Sequence, residues 1–248
     1  MSAQNKTVTK ITAKRDPTKL NIVLVHGIWF DASSWNKVIP VLQDAGHKVI
    51  AVELPLHSVT DDLATVKRAI DLIGGPVILV PHAYGGFVIT NAAYNNPNVK
   101  GLVYIAAPAP MEGHSMSTTV PPFPKEFKGE PLLIFDNGGF AYINPTLFHD
   151  FLAQDVDTIQ ANILAVVQKP GNLSGIANEK SGPPAWKQLP TWYQVSENDH
   201  AIPPTLEHTF AKQMNATTIS LPSSHASLVS HPNEIAQLIL NATKGITK

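Results

Sequence analysis

The sequence predicts an α/β protein with a doubly wound, mostly parallel sheet and an inserted, mainly helical cap. Short apolar runs alternate with helical patterns along most of the 248 residues. The runs are apolar on both faces, which is typical of parallel strands covered by helices on both sides. The alternation breaks between Pro108 and Pro190, in a stretch rich in proline and glycine. We interpret that stretch as a cap inserted into a single domain that comprises residues 1–248.

Each element follows from its own local pattern. The first three helices are predicted to begin at Ser33 or Ser34, at Thr60 and at Tyr84. The first two are predicted to end at Gly46 and Gly74. The strands are predicted at 21–25, 48–52, 76–81, 99–107, 191–195 and 217–221. The later helices are predicted at 145–168, within the cap, and at 203–214 and 232–243. Repeated strand–helix pairs imply right-handed crossovers and therefore a doubly wound sheet.

Composition excludes several classes of function. Hydrophobic residues make up 44% of the chain, and the formal net charge is −1, so no basic surface is expected for nucleic acid or for an anionic membrane. There is no cysteine, which excludes thiolate catalysis and disulfides. No apolar run approaches the ~20 residues that span a bilayer. We expect a small-molecule substrate and no cofactor or metal, since no H-E-x-x-H spacing occurs; a homodimer is left open.

The sequence also favours one cellular location for the protein. The N-terminal residues Met1 to Lys19 are polar and lack the apolar centre of a secretory signal. With no membrane-spanning run either, a cytoplasmic location is the favoured expectation.

The segment from Pro81 to Gly86 has the layout of a nucleophile elbow. It follows an apolar run and precedes a predicted helix, which is the strand–turn–helix layout of the motif G-x-S-x-G. The serine position holds Ala83. The scaffold of an acyl-transfer site is therefore predicted without the atom that would attack.

Two further residues complete a catalytic pattern. Ligand sites of open α/β sheets lie beyond the carboxyl ends of the strands, where Asp199 follows one late strand and His225 follows the last. The chain order is thus nucleophile position, acid, base. His225 would take and return a proton, and Asp199 would hold the imidazole tautomer. The backbone N–H groups of Ile28 and Tyr84 would form the oxyanion hole.

These motifs resemble the α/β-hydrolase superfamily, in its branch of small esterases, methylesterases and hydroxynitrile-lyase-like enzymes. The resemblance runs from Lys19 to Thr243 and rests on the elbow and on four further motifs, which are Val25-His26-Gly27-Ile28-Trp29, Ala45-Gly46-His47-Lys48-Val49, Asn198-Asp199 with Ile202-Pro203-Pro204, and Ser224-His225-Ala226. It implies the α/β-hydrolase fold, hydrolysis of a small carboxylic ester or lactone, and Ala83, Asp199 and His225 as the matched catalytic positions. Two residues depart from the family pattern, Ala83 itself and Pro81, where relatives carry a small residue.

Several neighbouring side chains receive lesser predictions. Trp29, His57, Phe140 and Trp186 are expected to line the substrate pocket. His26 and His82 are interpreted as structural, and Glu197 is the second choice for the acid.

Three explanations of Ala83 stay open. The alanine is an introduced replacement of serine, or the chain is a natural binding protein, or it is a natural lyase or cofactor-free enzyme in which His225 acts as a base without serine.

Overall fold

A computed structural model describes residues 19–246. Six strands form one sheet in the order β2-β1-β3-β4-β9-β10, and every neighbouring pair is parallel. These strands are β1 (Asn21–Val25), β2 (Val49–Val52), β3 (Val77–Pro81), β4 (Val99–Ile105), β9 (Thr191–Ser196) and β10 (Thr217–Leu221). Both β1 and β3 are buried along their whole length, because helices cover both faces of the sheet.

Helices connect the strands of the sheet and follow the last one. They are α1 (Ile39–Asp44), α2 (Val59–Ile73), α3 (Gly85–Ala92), α8 (Pro204–Gln213), α9 (Ser227–Ser230) and α10 (Pro232–Ile246). Helix α2 begins after Ser58, whose side chain accepts a hydrogen bond from the Asp61 N–H, a standard N-cap. The parallel sheet flanked by helices confirms the predicted fold class.

The segment between β4 and β9 differs from the rest of the chain. Besides the short helices α4 (Met116–Thr119), α5 (Pro145–Leu152), α6 (Thr158–Val167) and α7 (Leu173–Ala177), it carries two antiparallel hairpins. The hairpins pair β5 (Glu126–Phe127) with β6 (Glu130–Pro131), and β7 (Leu133–Phe135) with β8 (Ala141–Ile143). We call residues 106–190 the inserted segment.

Two predicted helices are divided in the structure. The helix expected from Ser33 to Gly46 is a 3₁₀ turn at Ala32–Trp35 followed by α1. Pro40 lies in the first turn of α1, where its missing N–H costs nothing, but in a continuous helix it would break the hydrogen-bond ladder. The helix expected over 145–168 is divided into α5 and α6, because Asp157 caps a new helix by accepting from the N–H groups of Ile159 and Gln160.

The parallel sheet determines where a site can form. All six carboxyl ends open at one edge, and the chain order reverses direction on either side of β1. Such a reversal leaves a crevice between neighbouring loops. The loops after β1 and β3, which are hydrogen-bonded neighbours, lie at this crevice.

No helix within residues 19–246 is long and apolar enough to cross a membrane. The prediction about a secretory signal falls on the first residues of the chain, which lie outside the described range.

Candidate active site

The turn after β3 holds Ala83 in a left-handed backbone conformation. Its φ is +48°, a region that costs a residue with a Cβ roughly 1–2 kcal/mol. The turn is held by hydrogen bonds from the His82 N–H to the Val25 carbonyl at 2.8 Å and from the Ala83 N–H to the Ile105 carbonyl at 3.2 Å. Strain of this kind persists where the surroundings over-determine the backbone, and it concentrates at functional sites.

Glycines permit this turn to pack closely on its neighbours. A Cβ on Gly27 would lie 2.6 Å from the Cβ of Ala83, and one on Gly86 would lie 2.4 Å from the carbonyl oxygen of Pro108. Both distances are well below van der Waals contact. The loop after β1 can therefore approach the elbow, and the start of α3 can approach the chain after β4, only because these positions lack side chains.

His225 and Asp199 meet beside the elbow. The Nδ1–H of His225 donates to Oδ2 of Asp199 at 2.5 Å, and both side chains are buried. The other carboxylate oxygen of Asp199 accepts from the backbone N–H groups of Ala201 at 2.6 Å and Ile202 at 2.9 Å. This arrangement leaves Nε2 of His225 without a partner among residues 19–246. A histidine held in this tautomer is prepared to act as a base.

Two backbone donors next to the elbow are also unpaired. The N–H groups of Ile28 and Tyr84 donate to no acceptor within the described part of the chain. Buried N–H groups are almost always paired, and Ile28 and Tyr84 are both nearly buried. They lie at the start of the two loops that follow β1 and β3. Donors in these positions are suited to a developing oxyanion.

Comparison with known proteins decides the family. The model of the alpha/beta hydrolase family matches residues 22–238.

The chain belongs to the alpha/beta hydrolase family.

Its relatives include esterases. It is 24% identical over 252 residues to the polyneuridine aldehyde esterase of Rauvolfia serpentina, covering 89% of this chain and 94% of that protein. It is also 24% identical over 253 residues to the pyrethroid hydrolase of Sphingobium wenxiniae, covering 90% and 87%.

Solved structures show the same fold. A crystal structure of a pyrethroid hydrolase superposes with a TM-score of 0.75 at 19% identity, covering 92% of this chain and 99% of that one. The crystal structure of polyneuridine aldehyde esterase gives a TM-score of 0.75 at 20% identity, covering 90% and 99%.

A cavity of about 440 Å³ opens at the elbow of this α/β hydrolase. Its lining beside the elbow consists of Ala83, Ile28, Trp29, Tyr84 and His225. The wall comes mainly from the inserted segment, with two residues from the loop after β9, and consists of Pro108, Met116, Ser117, Val120, Pro121, Pro122, Phe123, Leu133, Leu173, Ile176, Ala177, Ala201 and Ile202. No side chain in this lining carries a formal charge except when His225 is protonated.

Three residues predicted to line the pocket lie elsewhere. His57 is exposed, and its ring contacts that of Phe140 at 5.2 Å between centroids. Trp186 is buried with its indole N–H donating to the Pro110 carbonyl at 3.2 Å. The cavity lining includes none of the three, so this part of the prediction is wrong. Trp29 does line the cavity, and its indole N–H donates to the Ala141 carbonyl of β8 at 3.0 Å.

The residues that the sequence reasoning missed come from short, irregular pieces of the inserted segment. Helices α4 and α7 contribute Met116, Leu173 and Ile176 to the lining. Each of these helices is at most five residues long, too short to show an apolar periodicity. The sequence offered no signal for them beyond their being apolar.

His26 and His82 are buried beside the site, outside the cavity lining. His26 accepts from the Leu54 N–H at Nε2, so its Nδ1–H donates to the Gly27 carbonyl. The Nε2 of His82 is 2.8 Å from the carbonyl oxygen of His225 and therefore carries the hydrogen. Burial lowers the pKa of both imidazoles, strongly for His82. They are neutral rings that fix loops.

Tyr84 is anchored behind the cavity. Its hydroxyl donates to Oδ2 of Asp62 at 2.8 Å, while Oδ1 of Asp62 accepts from the Leu56 N–H at 2.9 Å. Burial raises the pKa of Asp62 to about 6 and raises that of Tyr84. The phenol therefore stays a hydrogen-bond donor, and its hydrogen bond fixes Tyr84, a residue of the elbow turn whose backbone N–H is unpaired within the described residues.

Glu197, the alternative acid, is exposed and pairs with His208 at 3.0 Å. The structure places it away from the cavity lining, and of these two carboxylates only that of Asp199 accepts the hydrogen bond from His225.

Proposed function

We propose that this protein has the site of a carboxylic ester hydrolase for a small, apolar ester or lactone, and that residue 83 is its nucleophile position. With alanine there, the chain binds the ester but forms no acyl-enzyme. Ala83, Asp199 and His225 are the catalytic positions of this proposal, and Ile28 and Tyr84 supply the oxyanion hole.

One observation carries the proposal. The unpaired N–H groups of Ile28 and Tyr84 belong to residues that line the same cavity as the free Nε2 of His225. Unpaired donors and an unpaired base in residues that line one cavity are available to a bound substrate. Acyl transfer uses all three.

The chemistry with serine at position 83 follows from this geometry. The serine oxygen attacks the ester carbonyl carbon while His225 takes its proton, and the two N–H groups stabilise the negative oxygen. His225 returns the proton to the alkoxide as the carbon–oxygen bond to the alcohol breaks. Water then attacks the acyl-enzyme, again losing its proton to His225, which passes that proton to the serine oxygen as the serine–acyl bond breaks and the acid is released. Asp199 stabilises the imidazolium throughout.

The cavity supports a neutral, apolar substrate. Its wall from the inserted segment is aliphatic and aromatic apart from the hydroxyl of Ser117. A charged acyl chain would lose its hydration there without gaining a partner. A volume of about 440 Å³ suits a small molecule of the kind that such pockets enclose.

The test is the substitution Ala83→Ser. We expect hydrolysis of short-chain p-nitrophenyl esters at a rate about six orders of magnitude above that of the alanine chain, by analogy with loss of a protease nucleophile. Introducing His225→Ala into the serine variant should abolish the activity. A folded serine variant that binds these esters but does not hydrolyse them would exclude the proposal.

A second candidate function is proton transfer without serine, as in a lyase. It is favoured by the observation that Nε2 of His225 and both N–H groups are already available beside alanine. Turnover by the alanine chain that disappears with His225→Ala would support this candidate. Ligand binding without turnover in either form would support a binding protein, and a serine codon at position 83 in the gene would show that the alanine was introduced.

A further inference from the structure

A second carboxyl group lies behind Asp199. Glu207 belongs to α8, which packs on β9, and its side chain is fully buried. One of its oxygens, Oε2, accepts from the backbone N–H of Ser196 at 2.9 Å. Ser196 ends β9 only three positions before Asp199, so this bond fixes the start of the loop that carries the acid.

The other oxygen of Glu207 has no donor. Oε1 is buried and accepts from no donor within residues 19–246, and the Glu207 carboxyl lies close enough to that of Asp199 for each to act on the charge of the other. Both oxygens of Asp199 already accept hydrogen bonds, from His225 on one side and from two backbone N–H groups on the other. Two adjacent buried carboxylates without a cation repel each other strongly, and one shared proton removes the repulsion.

We propose that Glu207 is a positioning residue that keeps its proton in the folded protein and donates it in a hydrogen bond to the carboxylate of Asp199. Asp199 then faces His225 as an anion, and its carboxylate is fixed by a hydrogen bond from Glu207 as well as by those from His225 and the two backbone N–H groups. The structural part of the proposal stands by itself, whereas its effect on turnover rests on the proposed function.

The surroundings agree with a neutral Glu207. The titratable groups that act on it are Asp199 and Glu197, both acidic, and Tyr193 on β9, which burial keeps un-ionised. His208 is paired with Glu197 at the surface, and His225 with Asp199. Burial first, and then Asp199, raise the pKa of Glu207 well above its ordinary value.

The pH dependence of stability tests the proton directly. In the unfolded chain a glutamate ionises above about pH 4.3. If the folded chain retains the proton, unfolding releases it, and the unfolding constant rises by up to about tenfold for each pH unit above that value. Glu207→Gln removes this effect while keeping an acceptor for the Ser196 N–H and a donor for Asp199.

We therefore expect the ratio of the unfolding constants, parent over E207Q, to grow between about pH 5 and about pH 7 in urea titrations, by up to about 100-fold. Glu112→Gln, an exposed acid of the inserted segment, is the control and should give a nearly flat ratio. A flat ratio for E207Q as well would overturn the proposal, since Glu207 would then be ionised in the folded protein.

Infrared spectroscopy answers the same question without a variant. Protein labelled with ¹³C in the glutamate carboxyls should show the C=O stretch of a protonated acid at neutral pH, and its absence would overturn the proposal even if E207Q fails to fold.

The effect on turnover is measured separately, in the Ala83→Ser protein. Glu207→Ala should lower kcat more than it raises KM and should change the pH profile, and Glu207→Gln should restore both. Equal losses in the two variants would exclude the positioning role. If Ala83→Ser has no activity at all, the proposed function fails, but the stability and infrared measurements still decide the state of Glu207.

Discussion

The cavity has two halves that are built differently. One is formed by the loops at the carboxyl ends of the strands, where the elbow lies, and the other by the inserted segment. At the edge, short loops after parallel strands are held by backbone hydrogen bonds and close approaches, such as the Gly27 contact with Ala83. The inserted segment contributes apolar side chains from short helices and the bends between them. If the proposed function holds, we expect the first half to govern rate and the second to govern which ligand binds. Variants on the two sides should therefore change different quantities.

The largest expected effect is on the elbow side. Asp199→Asn in the Ala83→Ser protein should lower kcat by about 10⁴-fold, because the amide no longer holds the His225 tautomer or stabilises the imidazolium. Glu197→Gln is the matched control, since Glu197 is exposed and bonded to His208. Steady-state kinetics on a p-nitrophenyl ester measure both. Similar losses from the two substitutions would mean that the acid has been misassigned.

Next comes the close approach of the two loops. Gly27→Ala would place a Cβ 2.6 Å from that of Ala83, so the loop must move, at a cost of about 1–3 kcal/mol of unfolding free energy. Gly182→Ala lies in the inserted segment, where the nearest atom to its added Cβ is 3.7 Å away, and should change stability little. Urea titrations measure the unfolding free energies of the two variants. Equal stability of both variants would show that the elbow is not tightly packed.

The inserted segment should respond in binding rather than in rate. Ile176→Ala removes part of the apolar wall and should weaken binding of a neutral apolar ester by about tenfold. Because the alanine chain is expected to bind without turnover, the dissociation constant can be measured directly by calorimetry. Phe140→Leu, outside the cavity lining, is the control. If only the Phe140 variant bound the ester more weakly, Phe140 rather than Ile176 would contact the ligand.

The smallest effect concerns the backbone at residue 83. Ala83→Gly relieves a φ of +48°, worth roughly 1–2 kcal/mol, but adds chain entropy worth roughly 0.5–1 kcal/mol. We expect a gain in unfolding free energy of at most about 1.5 kcal/mol. Ala64→Gly, exposed within the regular helix α2, should instead lose about 1 kcal/mol. Thermal unfolding distinguishes the signs, and a loss in both would mean that Ala83 is unstrained.

The same contrast explains what the sequence could predict. The strands, the elbow turn at residue 83 and the meeting of His225 with Asp199 follow from rules that relate local pattern to the edge of a parallel sheet. The pocket wall does not, because the direction of a loop side chain depends on distant packing. His57 follows β2 at the correct edge, yet its ring turns outward to Phe140. Phe123, by contrast, lines the cavity and packs against Trp29 at 5.1 Å.

The path of the chain through the sheet has a consequence for how such proteins diversify. The inserted segment leaves from β4 and returns to β9, and these two strands are direct neighbours. Because the two strands are parallel, the segment leaves at the carboxyl end of β4 and returns at the amino end of β9, where Thr191 pairs with Leu102. The strand residues that anchor it, Ile105 and Thr191, are therefore roughly 11 Å apart, about three residues along the strands and one strand spacing across them. A segment anchored in two neighbouring strands can be replaced by another segment without a change in the strand order of the sheet. One unchanged reaction edge can then serve many different ligands.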